Sequence, residues 1–495
     1  MSNQSSGALA RFTVLDSNRS TLKTYWEQYA AYTLPYICPD DNFDGDNYRL
    51  SEVYDSVAAK GVNHLANRLM LAMFGSSVPF CRLTMPKKLK AKVLGTTGLT
   101  EDQLDELLST GEQEMLTVLA ASGIRTRLFE VLKHLIIVGN VAVNREKDYT
   151  VIPVKDYVVR RSVSGRAVEI LFRNKVSWDE LTDEVQKLVP KDLKEAKEIS
   201  QITWCKFADD KYTCEQWVND TKLPDDFTQK YSEADFPYSI LTWVLPTKCN
   251  YGVGLIEEHR GDIFTTDILS EAQSDMAGLA AQYRWRVNPS GSTDINEFKK
   301  SVNGDAVAGE DGDIKLEHVN NLRQIEAVLA VSERYERRLA EVFMQSAALV
   351  RDAERVTAVE IRMLAQELDT ALGGVYTRLA VDLQKPLAMW LMPKTESFRQ
   401  GSGIEPVVIT GLDALSRSAD TDRLLRFITN LNQLATLPPE TQDWLQLGPI
   451  LTQLAAGEGL ASRKYIADQE TANASRDARN QSMAAAKQQQ NLPME

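Results

Sequence analysis

Apolar residues recur at helical spacing through the N-terminal third of the chain. Leu22, Trp26, Tyr29 and Thr33 predict an amphipathic helix over 17–34, stopped by Pro35. Val53, Val57, Gly61, Leu65, Leu69 and Phe74 predict a second over 51–74, with Ala58, Ala66 and Ala72 allowing close packing. Two more follow at 101–121 and 124–139, the latter ended by Gly139, a residue suited to the left-handed turn that closes a helix. The period then shortens to two. Segments 141–143, 149–154, 157–161 and 168–172 read as strands, with Ser164-Gly165 as a turn, and helical spacing returns at 177–189. Residues 201–219 alternate around Asp209-Asp210, which predicts a hairpin, and Ser239–Leu245 predicts another strand.

The second half is mostly helical. Phe264, Ile268, Ala272, Met276, Leu279 and Tyr283 recur at steps of three and four, predicting one long helix over 255–284. A polar, turn-rich insert follows at 287–318, in which Ala306-Val307-Ala308 and Ile314-Lys315-Leu316 suit small strands. Leu322, Ile325, Leu329, Tyr335, Leu339 and Phe343 then mark a helix over 320–345, so two helices of similar length flank the insert. Ser346–Arg355 breaks the pattern. Thr357-x-x-Glu360 is a capping box that starts a third long helix running toward Pro386, with Gly373-Gly374 predicting a kink. Val407–Thr410 predicts a strand, 413–466 reads as helical, and from Asp468 the chain is a polar tail. The fold class is α+β, mainly α.

Composition adds limits. A chain of 495 residues with 43% hydrophobic content has material for roughly three domains at ~150 residues each. The net charge of −13 argues against a protein that grips nucleic acid along its whole surface. Five cysteines without a CxxC pair predict reduced thiols in a cytosolic setting; Cys205 and Cys214 could face each other across the hairpin without bonding. No apolar run approaches a membrane span, and Met1–Leu15 lacks the core of a signal peptide.

The sequence offers little chemistry. It has no HExxH, no phosphate-binding GxxxxGK[ST], no GxSxG and no GxGxxG, so no enzyme and no cofactor is expected. Glu130 and His134, one helical turn apart, read first as a solvated helix face and second as an acid–base pair. Asp40 to Asp46 resembles half of a calcium loop, but position twelve is Ser51, so an acidic turn is the better reading. Arg351, Asp352 and Arg355 cluster in the break between helices. Asp305, Glu310, Asp311 and Asp313 in the insert read by default as a solvated loop.

The order of parts, with several local strings, carries a resemblance. The strings are Gly61-Val62-Asn63-His64-Leu65-Ala66-Asn67-Arg68-Leu69-Met70-Leu71-Ala72, Leu128-Phe129-Glu130-Val131-Leu132-Lys133, Gly139-Asn140-Val141, and Glu354–Ile361 continuing through Glu367-Leu368 to Leu372-Gly373-Gly374-Val375-Tyr376. In this order the chain resembles the head-to-tail connectors, or portal proteins, of short-tailed, podovirus-type phages, from about residue 17 to about 415. The resemblance implies a ring of twelve subunits around a double-stranded DNA channel at one capsid vertex. It implies a wing at 1–250, stem helices at 251–286 and 320–345 around a clip at 287–319, and a channel loop at 346–355. A long kinked helix and return strand at 356–411, a crown at 412–467 and a polar tail at 468–495 complete it. The implied partners are further copies of the chain, DNA, major capsid and scaffold proteins, terminase and tail adaptors. The resemblance also implies that no membrane is involved and that assembly occurs in the host cytoplasm.

The residues fit that expectation on physical grounds. A helix pair with a polar insert leaves apolar faces uncovered, and a closed ring of copies covers them without open ends. Phe264, Ile268, Met276, Leu279, Leu329 and Leu339 are the expected packing residues of the stem. Over 255–284 two arginines oppose six carboxylates, an acidic wall from which phosphate is repelled. Arg351 and Arg355, with Asp352 between them, are then the expected DNA-facing residues. Asp305, Glu310, Asp311 and Asp313 are the expected docking residues of the clip. A ring-forming scaffold without DNA passage is the alternative.

Overall fold

The computed structural model describes residues 7–40, 53–75, 79–97, 100–146, 148–196, 198–318, 322–345, 358–398 and 407–411. Helices α1 (Ala8–Ser17) and α2 (Ser20–Ala31) precede α3 (Val57–Met73). Strand β1 (Cys81–Thr84) and α4 (Lys87–Thr97) lead to α5 (Glu101–Ala121) and α6 (Ile124–Val138). A strand-rich region follows, with β2 (Asn140–Asn144), β3 (Thr150–Ile152), β4 (Tyr157–Arg161), β5 (Ala167–Val176) and the short α7 (Asp183–Leu188). It continues through β6 (Ile199–Ala208), β7 (Lys211–Val218), β8 (Thr221–Lys222), β9 (Gln229–Ser232) and β10 (Tyr238–Thr242). Then come α8 (Leu255–Glu258), α9 (Arg260–Ala280), β11 (Tyr283–Val287), α10 (Ile295–Lys300), β12 (Ile314–His318) and α11 (Leu322–Val342). The last described elements are α12 (Ala358–Ala371), α13 (Val375–Leu379), a π-turn (Ala380–Gln384), α14 (Lys385–Leu391) and β13 (Val407–Thr410).

Alternation explains the main sheet, whose order is β4-β5-β6-β7-β8 with β9 also on β7. On one face Val158, Leu171 and Ile202 pack under Ala8 and Phe12 of α1. On the other, Tyr157, Val159, Ile170, Phe172, Cys205 and Tyr212 join the central core. Asp209 and Asp210 both take positive φ, of 51° and 57°, and turn β6 into β7 as the paired aspartates predict. Glu169 is buried on β5, where it accepts from Arg11 (3.0 and 2.7 Å), Arg160 (2.9 Å) and Trp204 (3.2 Å). Burial raises the pKa of this carboxyl, but the arginine hydrogen bonds outweigh that and hold it below the usual range. The register of β6 and β7 sets Cys205 opposite Cys214, Cα atoms 4.1 Å apart, and the two form a disulfide. This corrects the expectation of five reduced thiols; Cys38 and Cys81 are free and buried, and burial pushes the Cys38 thiol up to about 12.

The helix α6 is buried nearly all round and lies at the centre of the core, with Leu128, Val131, Leu132, Leu135, Ile136, Ile137 and Val138 fully covered. His134 is buried with them, its Nδ1 without a partner, so it is neither on a solvated face nor in an acid–base pair with Glu130. Burial lowers its pKa to about 4. The predicted helix over 17–34 divides at Arg19, whose guanidinium turns inward to Asp16 (2.7 Å) and the Val154 carbonyl (2.8 Å) and lies over the Trp26 and Tyr251 rings.

Gly139 does more than end α6. It has φ +76°, and a Cβ there would lie 2.4 Å from the Gly254 nitrogen. The Asn140 side chain clamps the other strand of this crossing, donating to the Gly252 carbonyl (2.8 Å) and accepting from the Gly252 N–H (2.7 Å). The start of α8 is therefore fixed against the end of α6, backbone on backbone.

Candidate functional site: the helix pair and its ends

The predicted helix over 255–284 is two helices and part of a strand. The chain bends at His259 (φ −111°), α9 ends at Ala280, and Tyr283–Val287 forms a strand. The segment Tyr283-Arg284-Trp285-Arg286-Val287 alternates, and its partner strand Ile314–His318 completes an antiparallel hairpin from Tyr283↔His318 to Val287↔Ile314. Ala306-Val307-Ala308 is not a strand. Helices α9 and α11 run antiparallel beside each other: Arg338 near the end of α11 pairs with Asp262 at the start of α9 (2.8 Å).

The six expected stem residues divide. Leu339 is fully buried within the chain and Phe264 is half-buried against Tyr32, ring centroids 4.5 Å apart. Met276 is also half-buried. Ile268, Leu279 and Leu329 are 61%, 51% and 45% exposed in the single chain. Gly261, Thr265, Ile268, Ala272, Asp275 and Leu279 fall at helical steps along one side of α9, and Gly261, Ile268, Asp275 and Leu279 are exposed.

Asp313 departs from the other three acids of the insert. It is buried and accepts from the Ser292 N–H (2.8 Å), the Thr293 N–H (3.1 Å) and the Thr293 hydroxyl (3.0 Å), while its carbonyl accepts from Asn288 (2.8 Å). Desolvation raises its pKa, and these hydrogen bonds more than offset it, holding the carboxyl below the usual range. Asp313 is a staple inside the insert and not a solvated side chain, because its carboxylate is consumed by the turn it closes. Asp305, Glu310 and Asp311 are exposed, as expected, although Asp305 also accepts from the Val302 N–H (2.7 Å). Trp285, half exposed, packs edge-on to Phe298 of α10 at 5.3 Å.

Arg351, Asp352 and Arg355 lie outside the described residues, as do the capping Thr357, positions 41–46 of the acidic turn, and everything from 412 on. Both flanks of 346–357 are described. At the end of α11 the Phe343 ring sits on Gly61 of α3, where a Cβ would fall 2.2 Å from it. Met344 takes φ +54°, and its carbonyl accepts from Arg68 (2.7 Å) with His64 Nε2 at 3.2 Å. Arg68 also donates to Glu367 of α12 (2.7 Å). Sequence reading took Gly61, His64 and Arg68 as part of a string without giving them a task. The only signal for His64 and Arg68 is their spacing of one turn, on the side of a helix whose opposite face is closely packed.

Further along, Gly373 and Gly374 take φ +59° and +82°, giving the predicted break. Asp369 accepts from the Thr377 N–H (3.1 Å) and hydroxyl (2.9 Å) across it. The helical run continues past the expected end at Pro386, which closely follows the π segment Ala380–Gln384. β13 pairs with β1 from Cys81↔Thr410 to Thr84↔Val407, and buried Gln384 ties Met73 to Gly411.

Among the described residues no group of three or more His, Cys, Asp or Glu side chains is placed to hold a metal, and no helix is long and apolar enough to cross a membrane. An α+β body thus carries an antiparallel helix pair, with a stapled insert joining the two helices. The sequence matches the family described as bacteriophage head to tail connecting protein over residues 5–460, and the chain belongs to it. It is 31% identical to the portal protein of Enterobacteria phage T3 over 471 residues, covering 92% of this chain and 87% of that protein. It is 29% identical to the portal protein of Escherichia phage T7 over 486 residues, covering 94% and 89%. The portal protein of Enterobacteria phage SP6 is 29% identical over 430 residues, covering 85% and 82%. The chain is thus a structural, non-enzymatic component of the virion at the junction of head and tail.

Proposed function

We propose that copies of this chain close into a ring of twelve through which double-stranded DNA enters and leaves the capsid. The observation that carries this reading is the exposed apolar residues of the helix pair. Ile268, Leu279 and Leu329 leave large side chains in water on helices already packed against each other, which a neighbouring copy would cover. The contact is heterologous, and a rotation that closes it leaves no free end. The acidic α9, with one arginine against four carboxylates, suits a wall past which phosphate slides.

In this reading α9 and α11 are the stem, residues 287–319 the clip, and 346–355 the channel loop, where Arg351 and Arg355 touch phosphate and Asp352 tempers them. The region after 412 is the crown. The clip docks terminase during packaging and tail adaptors afterwards, while capsid and scaffold proteins surround the ring during assembly in the host cytoplasm. Negative-stain microscopy of the purified protein tests the ring, and a central hole wide enough for a duplex separates a conduit from a solid scaffold. Replacing Arg351 and Arg355 together with alanine tests DNA passage. Rings form as before, and retained DNA falls most at low salt, where phosphate contacts are strongest. Equal retention by mutant and parent at every salt concentration removes the arginines from the channel.

A further inference from the structure

We infer that Arg68 is a positioning residue that sets the spacing of the two helices flanking residues 346–357, and with it the place of the loop between them. The inference rests on the reading of that connection as the channel loop. The last carbonyls of any helix lack an intrahelical donor. At the end of α11 the Met344 carbonyl is turned out by a positive φ and is met from α3 by the Arg68 guanidinium at 2.7 Å and His64 Nε2 at 3.2 Å. The other arm of the same guanidinium reaches Glu367 on α12 at 2.7 Å. One planar group thus holds the helix that leads into the connection and the helix that leads out of it. A forked donor serves two acceptors in fixed directions, which an ammonium does not.

The platform beneath is rigid. Val62, Leu65, Ala66 and Leu69 of α3 are fully buried, and Gly61 receives the Phe343 ring, so α3 cannot shift to follow either flank. The Arg68 side chain is only 14% exposed, against 48% for Glu367. Through this contact Met344 and Glu367 are both tied to the body of the protein.

Hydrogen exchange on assembled full-length rings tests this, using Arg68→Lys and Arg68→Gln. Exchange in peptides covering 339–345 and 358–367 rises about tenfold in both variants, the change expected for loss of one charge-assisted hydrogen bond. Peptides from the main sheet stay as in the parent, and DNA retention falls. Unchanged exchange, or a rise on one flank alone, overturns the bridge. If Arg68 variants retain DNA while the Arg351/Arg355 double variant does not, the positioning role is overturned. If exchange rises on both flanks and neither set of variants affects DNA, the bridge stands and the channel-loop reading fails. Should Arg68 variants not fold, Glu367→Ala removes only the outer arm, and the same rise on the α12 flank is required of it.

Discussion

Leu329→Asp separates folding of the chain from closure of the ring. Leu329 is 45% exposed in the single chain and lies outside the buried face of α11 that carries Ser332, Leu339 and Phe343. Full burial of a leucine contributes about 1.5–3 kcal/mol, so covering the remaining exposed part contributes about 1 kcal/mol at each seam. An aspartate at that place loses this term and adds desolvation of a carboxylate, at least about 2 kcal/mol where no partner is supplied. The sum is about 3 kcal/mol per seam, more than a hundredfold in the seam's association constant. The chain itself loses the part of Leu329 that is already covered, about 1 kcal/mol, against about 3 kcal/mol at every seam. Sedimentation velocity across a concentration series reads the first effect, and thermal unfolding followed by circular dichroism the second. Folded subunits with a slightly lowered melting curve and no rings are expected. Rings that form at the parental concentration refute the assignment of Leu329 to a seam.

His134 is held neutral in the folded core, its pKa lowered from 6.5 to about 4 by burial. The unfolded chain binds this proton first, so stability present above pH 6.5 declines as pH falls toward 4, by about 3 kcal/mol in all; denaturant unfolding at several pH values shows a flatter acid limb for His134→Leu. Gly139→Ala puts a Cβ 2.4 Å from the Gly254 nitrogen at φ +76°, so its unfolding midpoint drops by the equivalent of more than about 1 kcal/mol, and an unchanged midpoint contradicts the crossing. Asp313→Ala releases the Ser292 and Thr293 donors, so proteolysis within 288–313 accelerates while rings persist and binding of tail partners weakens; a clip as resistant as the parent's rules out the staple.

What could be read in the sequence was what is periodic or local. The strands from Val141 to Phe172, the Asp209-Asp210 turn, the Gly139 helix end and the Gly373-Gly374 break each depend on neighbours a few residues away, and each is present. The strand Tyr283–Val287 was absorbed into a helix because Leu279 and Tyr283 continue the four-residue step, and its partner lies beyond a long insert. His134 and Asp313 were placed in solvent because charge and polarity favour it; burial comes from surroundings that periodicity does not describe. Arg68 was least legible of all, since Met344 lies 276 residues away along the chain. The candidate channel residues Arg351, Asp352 and Arg355 were assigned by order of parts and resemblance alone.

The joint between α6 and α8 has a mechanical consequence. Gly139, Gly252 and Gly254 meet through main-chain atoms, with Asn140 bonded to both sides of Gly252. Side chains that bear a load can change rotamer and absorb it; a contact between two backbones has no such slack. A push on the body therefore reaches the start of α8, at the base of the helix pair, with little lost at this joint. In the ring proposed above, the same joint in every subunit carries such a push to the base of every stem. Paired spin labels across the clip of an assembled ring, compared between Gly254→Ala and the parent, would register this stiffness as a broadening of the distance distribution in the variant.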